Sequence, residues 1–358
     1  MIPERKREIE RLFEAALERA PEERPSFLAA ACGGDAELER EVAGLLSAHA
    51  VADGILERDP ASAMSAPARE LSPGEMVGPY RIVGEVGRGG MAVVYLAEEP
   101  GEGRRVAVKL MHQGLTALLG RERFRREIRL AGRLQHPGIL PLYQSGEGER
   151  GLWYSMPYVA GGTLRLRLRR EGRLPTEEAA RIVGEVAGAL EYAHRRGVIH
   201  RDIKPENLLL DDGGAVQVGD FGIGRVFDAS GLEDTLTRSG VLIGTPAYMS
   251  PEQALGDRAL DGRTDVYGLG CVLYEMLAGE PPYPAATPQL AVTRHLKDPV
   301  PSLRRVDPAI SPAVDGVVRR ALAKAPAERF STAGELAGAL ASALNRGGAR
   351  QWWQVWKQ

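Results

Sequence analysis

Residues 87–97 read GRGGMAVVYLA, and the residues after the glycines decide the fold. Gly87, Gly89 and the small Ala92 keep the spacing G-x-G-x-x-(G/A). That spacing serves a turn that opens a helix around a dinucleotide, and equally the tip of a hairpin that covers phosphates. Here Val93, Val94, Tyr95 and Leu96 come next, residues that favour a strand. The stretch is therefore expected to be a hairpin tip, where missing side chains let backbone N–H groups approach phosphate oxygens closely. The same observation excludes a dinucleotide-dependent oxidoreductase, because no helix comes after the glycines and no ribose-binding acid stands at the right place.

Around this tip lie short β-branched runs broken by turns: YRIVGEV (80–86), AVVYLAEE (92–99) and RRVAVKLM (104–111). The full chain has 358 residues, enough for two or three compact units. Its 44% hydrophobic and 26% charged residues, with a net charge of -2, give no general attraction to nucleic acid or acidic membranes, so function must come from sites. Two distant cysteines, Cys32 and Cys271, suggest neither a disulfide framework nor a cysteine metal centre and fit a reducing compartment. The opening MIPERKREIE lacks the apolar core of a signal peptide, and no apolar run of about 18 residues occurs. The chain as given is expected to be cytoplasmic.

Residues 1–56 read as a small helical module. ERKREIERLFEAALERA (4–20) carries an apolar face at steps of three and four, and Asp35 is set to cap a helix through Leu38 and Val42. A Pro-, Ala- and Ser-rich linker is expected over 57–79, a catalytic domain over 80–341, and a basic, aromatic tail over 342–358. Only six lysines occur, so Lys109 in VAVK and Lys204 in HRDIKPEN mark positions worth attention.

Downstream motifs come in order: VAVK ending at Lys109, the helical RERFRREIRLAGRL carrying Glu127, HRDIKPEN at 200–207, DFG at 220–222 and SPE at 250–252. This series resembles the bacterial eukaryotic-type (Hanks-type) serine/threonine protein kinases over about 80–340. The resemblance implies an α+β, two-lobed fold: an antiparallel sheet lobe (80–159) and a helical lobe (160–341), preceded by the small all-α unit. It implies ATP with Mg²⁺, Mn²⁺ being a substitute, and protein substrates with serine or threonine acceptors, the chain itself in trans among them. Dimerisation is open, and no nucleic-acid partner is implied.

Each part has a physical reason. Phosphoryl transfer is helped chiefly by positioning and countercharge. The resemblance gives Lys109 the α and β phosphates, with Glu127 to orient it; Glu122 is the rival for that role. It makes Asp202 the base or orienter of the acceptor hydroxyl, and Lys204 the γ-phosphate countercharge. The oxygens of Asn207 and Asp220 suit a hard cation. Val86, Gly87, Arg88, Gly89 and Gly90 would cover the nucleotide. Val94, Ala107, Met156, Pro157, Val159 and Leu209 would line the base, with Pro157 offering a carbonyl but no N–H.

Lys204 and Thr245 are similar to the serine/threonine branch of the family. Asp211 and Asp212 in DDGG read as turn residues. Glu252, with Arg329 as its buried partner, and Asp265 read as structural. Arg201 in the family gathers an activation-segment phosphate, and Thr237 and Ser239 are the expected acceptors; the bland reading makes them ordinary loop residues. The N-terminal helices are either a docking or dimerisation module or a passive appendage. The tail RQWWQVWKQ suits a membrane interface, or else an aromatic stripe packed on the protein's own surface. The rival to an enzyme is a catalytically silent, nucleotide-binding scaffold, which loss of Lys109, Asp202 or Asp220 would favour; all three are present.

Overall fold

A computed structural model describes residues 71–89, 92–112, 121–221, 246–257 and 259–346, with a few positions between 27 and 38. Gly90, Thr237, Ser239, Thr245, most of the N-terminal module and the tryptophan-rich tail lie outside the described residues. In the N-terminal unit Leu28, Cys32 and Leu38 are buried, and the Asp35 carboxylate accepts the amide of Leu38 at 3.0 Å, the bond expected of a helix cap.

The sheet lobe has strands β1 (Met76–Val77), β2 (Tyr80–Arg88), β3 (Ala92–Glu98), β4 (Arg105–Met111), β5 (Gln144–Gly148) and β6 (Gly151–Pro157). They pair antiparallel in the order β1-β2-β3-β4-β6-β5, and helix α1 (Arg121–Ala131) packs on one face. The glycine stretch joins β2 to β3 as a hairpin, with Gly89 N–H donating to the Ala92 carbonyl at 2.9 Å.

The two-residue period of a strand divides this lobe into two cores. Val93, Tyr95 and Ala97 on β3, Val106, Val108 and Leu110 on β4, and Trp153 on β6 fill the outer face with Tyr80 and Ile82. Their alternates Ala92, Ala107, Met111, Leu152, Tyr154 and Met156 turn inward onto Phe124 and Ile128 of α1. Lys109 falls between Ala107 and Met111 and so shares the inward face.

The outer core extends beyond the expected domain start. Leu71 and Val77 are buried in it, and β1 pairs with β2, so the last part of the segment read as linker is built into the sheet.

The helical lobe comprises α2 (Leu164–Glu171), α3 (Thr176–His194), the hairpin β7 (Leu208–Leu210) and β8 (Val216–Val218), α4 (Pro251–Ala254), α5 (Arg263–Ala278), α6 (Pro288–Lys297), α7 (Pro312–Ala321) and α8 (Ala333–Arg346). Every residue of α5 from Thr264 to Leu277 is buried, and its polar members Thr264, Asp265 and Glu275 each find a hydrogen-bond partner. It is the pillar on which the catalytic segment rests: a Cβ on Gly268 would stand 3.2 Å from Ile203. Within this lobe the segment entering α2 is tied to β7, the Gly162 carbonyl accepting the Leu210 amide at 2.9 Å. Beside it a Cβ on Gly161 would come 2.2 Å from the Leu210 carbonyl oxygen. Only glycine allows that approach.

Candidate active site

LLLDDGGAVQV folds as the β7–β8 hairpin, with Leu208 opposite Val218. Its turn is built by Asp211, whose Oδ1 accepts the amides of Gly213 and Ala215 at 2.9 and 2.8 Å. A hairpin brings the residue before its first strand beside the residue after its second. Asn207 and Gly219 hold those places, the Gly219 amide donating to the Asn207 carbonyl at 2.8 Å, and Asp220 is the next residue along.

The segment before the hairpin is fixed by buried groups. Asp265 on α5 accepts the amides of His200 (2.8 Å) and Arg201 (2.7 Å) and a bond from His194 Nε2 (2.7 Å). Burial alone would push the Asp265 carboxyl up; the His194 and His200 contacts reverse this and hold it below the usual carboxylate range. The His200 ring links the two halves of the site. Nδ1 accepts the Asp202 amide at 3.2 Å, which leaves Nε2 to donate to the Gly219 carbonyl at 2.8 Å. Arg201 and Asp220 both adopt positive φ, 70° and 58°, unusual for side-chain-bearing residues.

The expected polar residues converge. Asn207 Nδ2 donates to the Asp202 carbonyl (2.7 Å) and to Asp202 Oδ2 (3.1 Å), and Lys204 Nζ lies 2.7 Å from the same Oδ2. With its nitrogen so committed, Asn207 keeps its amide oxygen for other partners. Across the cleft, Lys109 Nζ meets Asp220 Oδ2 at 2.5 Å. Glu127, expected to orient Lys109, is buried on α1, but among the described residues the carboxylate on Lys109 Nζ is that of Asp220. Burial pushes the Asp220 carboxyl up; the Lys109 charge and hydrogen bond, and the bond from Tyr154, outweigh this and bring it below its ordinary value.

The expected base-lining residues form one apolar group. Ala107 and Met156, direct register partners on β4 and β6, are buried, and Val94, Val159 and Leu209 pack against them. Val86 on β2 is exposed. Among the described residues a Cβ on Gly87 would meet nothing within 4 Å and one on Gly89 only the Ala92 carbonyl at 3.9 Å, so neither glycine is required by close packing. A nucleotide with a hard cation fits this donor set. Among the described residues no cluster of three or more His, Cys, Asp or Glu could hold a metal alone, whereas two oxygen donors completed by phosphates suit Mg²⁺.

Several contacts escaped sequence reading. Tyr154 Oη donates to Asp220 Oδ1 at 2.6 Å. Gln253 closes the capping box of α4 with Ser250, and its Nε2 donates to the Arg201 carbonyl at 2.8 Å. Arg165 gathers Glu206 (2.7 Å), Glu275 (2.5 Å) and the Tyr248 hydroxyl. The Ser250–Gln253 box is legible as S-x-x-Q, but no local signal marks the other partners, which join elements far apart in the chain.

The protein kinase domain model matches residues 80–340. The chain is 42% identical over 293 residues to the serine/threonine-protein kinase PknJ of Mycobacterium tuberculosis, covering 80% of this chain and 49% of that one. It is 42% identical over 267 residues to PknB of Mycobacterium leprae, covering 72% and 42%. The chain thus spans about half the length of the curated relatives it matches. Two crystal structures of the Mycobacterium tuberculosis PknI kinase domain, the first a substituted form, match with TM-scores of 0.63 and 0.59 at 34% and 33% identity. They cover 77% and 76% of this chain and 99% and 100% of theirs.

Proposed function

The chain belongs to the protein kinase domain family, and from that premise we propose that it is a serine/threonine protein kinase of bacterial signalling, transferring the γ-phosphoryl group of ATP to protein hydroxyls. The observation that carries this reading is the meeting of Lys109 and Asp220 at 2.5 Å beside the bonded trio Asp202, Lys204 and Asn207. A silent scaffold has no use for that intact set, and the second reading is not kept.

MgATP supplies the transferable phosphoryl group and a cation that shields its charge. Asp202 would accept the proton of the serine or threonine hydroxyl as the new O–P bond forms and the bond to ADP breaks. Asn207 holds Asp202 in place from Nδ2, and Lys204, 2.7 Å from the same carboxylate, would offer positive charge towards the phosphates. The Asn207 oxygen and the Asp220 carboxylate would hold Mg²⁺, or Mn²⁺ in its stead. Lys109 would turn to the α and β phosphates, with Glu127 behind it on α1. Gly87, Arg88, Gly89 and Gly90 would close over the phosphates, with Val86 at the rim. Val94, Ala107, Met156 and Leu209 would sandwich the base, whose polar edge is left to the Pro157 carbonyl and the Val159 backbone.

Autophosphorylation of Thr237, with Ser239 as a further acceptor, is the activation step that goes with this reading, one copy acting on another and Arg201 gathering the phosphate. We place the kinase in the cytoplasm. No helix among the described residues is long and apolar enough to cross a membrane; membrane contact would fall to the tryptophan-rich tail or to a span in a longer protein, which would put the kinase on the cytoplasmic face.

The test is phosphate transfer from MgATP to the protein itself and to a generic basic protein, with sites mapped by mass spectrometry. Asp202→Asn should slow turnover by about 10² to 10⁴ fold while leaving nucleotide binding intact. Transfer by neither form, with ATP still bound, sinks the proposal.

A further inference from the structure

The phenol of Tyr154 is the polar group at the site that the catalytic scheme leaves without a task. It stands on β6 directly opposite Lys109 on β4, both side chains on the inward face of the sheet. Tyr154 is fully buried, with its ring against Phe124 of α1 at 6.4 Å between centroids, and Lys109 Nζ is 5.9 Å from the ring centre. Its inward neighbours on β6, Leu152 and Met156, fill the same core without a polar atom. Packing therefore gives no reason for a hydroxyl here, and burying one is unfavourable unless it finds a partner. The partner is Asp220 Oδ1, at 2.6 Å.

The two oxygens of Asp220 are thereby told apart. Oδ1 is held by Tyr154 from β6, a strand paired on both sides, and Oδ2 by Lys109. On the reading of the chain as a kinase, on which this inference rests, Lys109 has a second appointment with the phosphates. Tyr154 has none. When Lys109 turns away, the Tyr154 bond still fixes the rotation of the carboxylate, and Oδ2 is the oxygen left facing the cleft.

We propose that Tyr154 is a positioning residue for the cation-binding carboxylate of Asp220, holding Oδ1 so that Oδ2 is presented to Mg²⁺. Without the Tyr154 hydroxyl the carboxylate can swing and give both oxygens to Lys109, and the cation must compete.

The experiment is equilibrium binding of a fluorescent, non-hydrolysable ATP analogue to the full chain, first without divalent cation and then across a Mg²⁺ titration. Wild type is compared with Tyr154→Phe and Tyr154→Met, which keep the buried volume without the hydroxyl, and melting curves check folding. The half-saturating Mg²⁺ concentration should rise roughly tenfold or more, the worth of a hydrogen bond to a charged group, while metal-free nucleotide affinity stays within about twofold. In an Asp220→Asn background, Tyr154→Phe should add nothing further. An unchanged Mg²⁺ requirement, or equal losses with and without Mg²⁺, would make Tyr154 a packing residue and overturn the inference. Wild type that binds no nucleotide under any condition overturns the kinase reading itself, and this inference with it.

Discussion

Arg329 grips Glu252 with two parallel hydrogen bonds, Nη1 to Oε1 at 2.6 Å and Nη2 to Oε2 at 2.7 Å. The rest of its fork goes to the carbonyls of Ala323, Lys324 and Arg263. All five donors are used in a buried setting, an arrangement a lysine cannot copy. Removing one partner leaves the other buried and unpaired, so Arg329→Met should lower unfolding free energy by about 3–5 kcal/mol in denaturant titrations. Arg329→Lys should recover only a minor part of that loss. Near-wild-type stability for Arg329→Met would mean that the carbonyls and Glu252 find other donors.

Asp265 carries the backbone of the catalytic segment on its two oxygens. In Asp265→Asn one oxygen becomes an N–H₂ that faces the amide of His200 or Arg201, leaving donors opposed. The expected penalty is about 1–3 kcal/mol per unsatisfied group. Because the segment holds Asp202 and not the base pocket, turnover should fall by roughly tenfold or more with nucleotide affinity retained. Equal losses of both would point to general unfolding, which a melting curve detects.

His295 on α6 is fully buried, with the Tyr267 hydroxyl 2.8 Å from Nδ1 and Lys324 Nζ bonded to its own carbonyl at 2.6 Å. Burial first, and then the Lys324 charge, lower its pKa to about 4. The folded state keeps the ring neutral, whereas the unfolded chain takes up a proton near 6.5. Its contribution is thus complete above pH 6.5 and is lost as pH falls from there towards about 4. The slope approaches about 1.4 kcal/mol per pH unit and amounts to roughly 3 kcal/mol in all. His295→Gln should flatten this part of the stability profile; an unaltered slope would assign the acid sensitivity to another group.

Gly161→Ala should act on the site through the backbone. Its methyl group would meet the Leu210 and Asp211 carbonyls at 2.2 and 2.9 Å. The β7 strand must then move, and overpacking of this kind costs about 1–3 kcal/mol. Since Leu209 on that strand packs against the apolar group of Ala107 and Met156, nucleotide affinity should fall along with stability. Unchanged binding would show that the strand yields without moving Leu209.

Much of this architecture was legible in local text. The strand-forming run after the glycines gave the hairpin, and DDGG announced the turn that joins β7 to β8. What remained hidden depends on register across the sheet. Tyr154 sits in LWYSMP, where nothing separates a working hydroxyl from a packed ring until β6 is aligned with β4. Likewise SPGEMVGPY reads as linker because two paired residues, Met76 and Val77, are too few to make a strand signal. Glu127 sits on the helix where its motif put it, yet the company of Lys109 is decided by Tyr154 and Asp220 meeting it from two other elements.

The mutual neutralisation of Lys109 and Asp220 has a thermodynamic corollary. An anion that takes Lys109 frees the carboxylate, and a cation that takes the carboxylate frees Lys109. Each ligand thereby removes a competitor that the other would have faced. Affinity for phosphate and affinity for metal are then heterotropically linked through one ion pair, and reciprocity requires that each raise the other by the same factor.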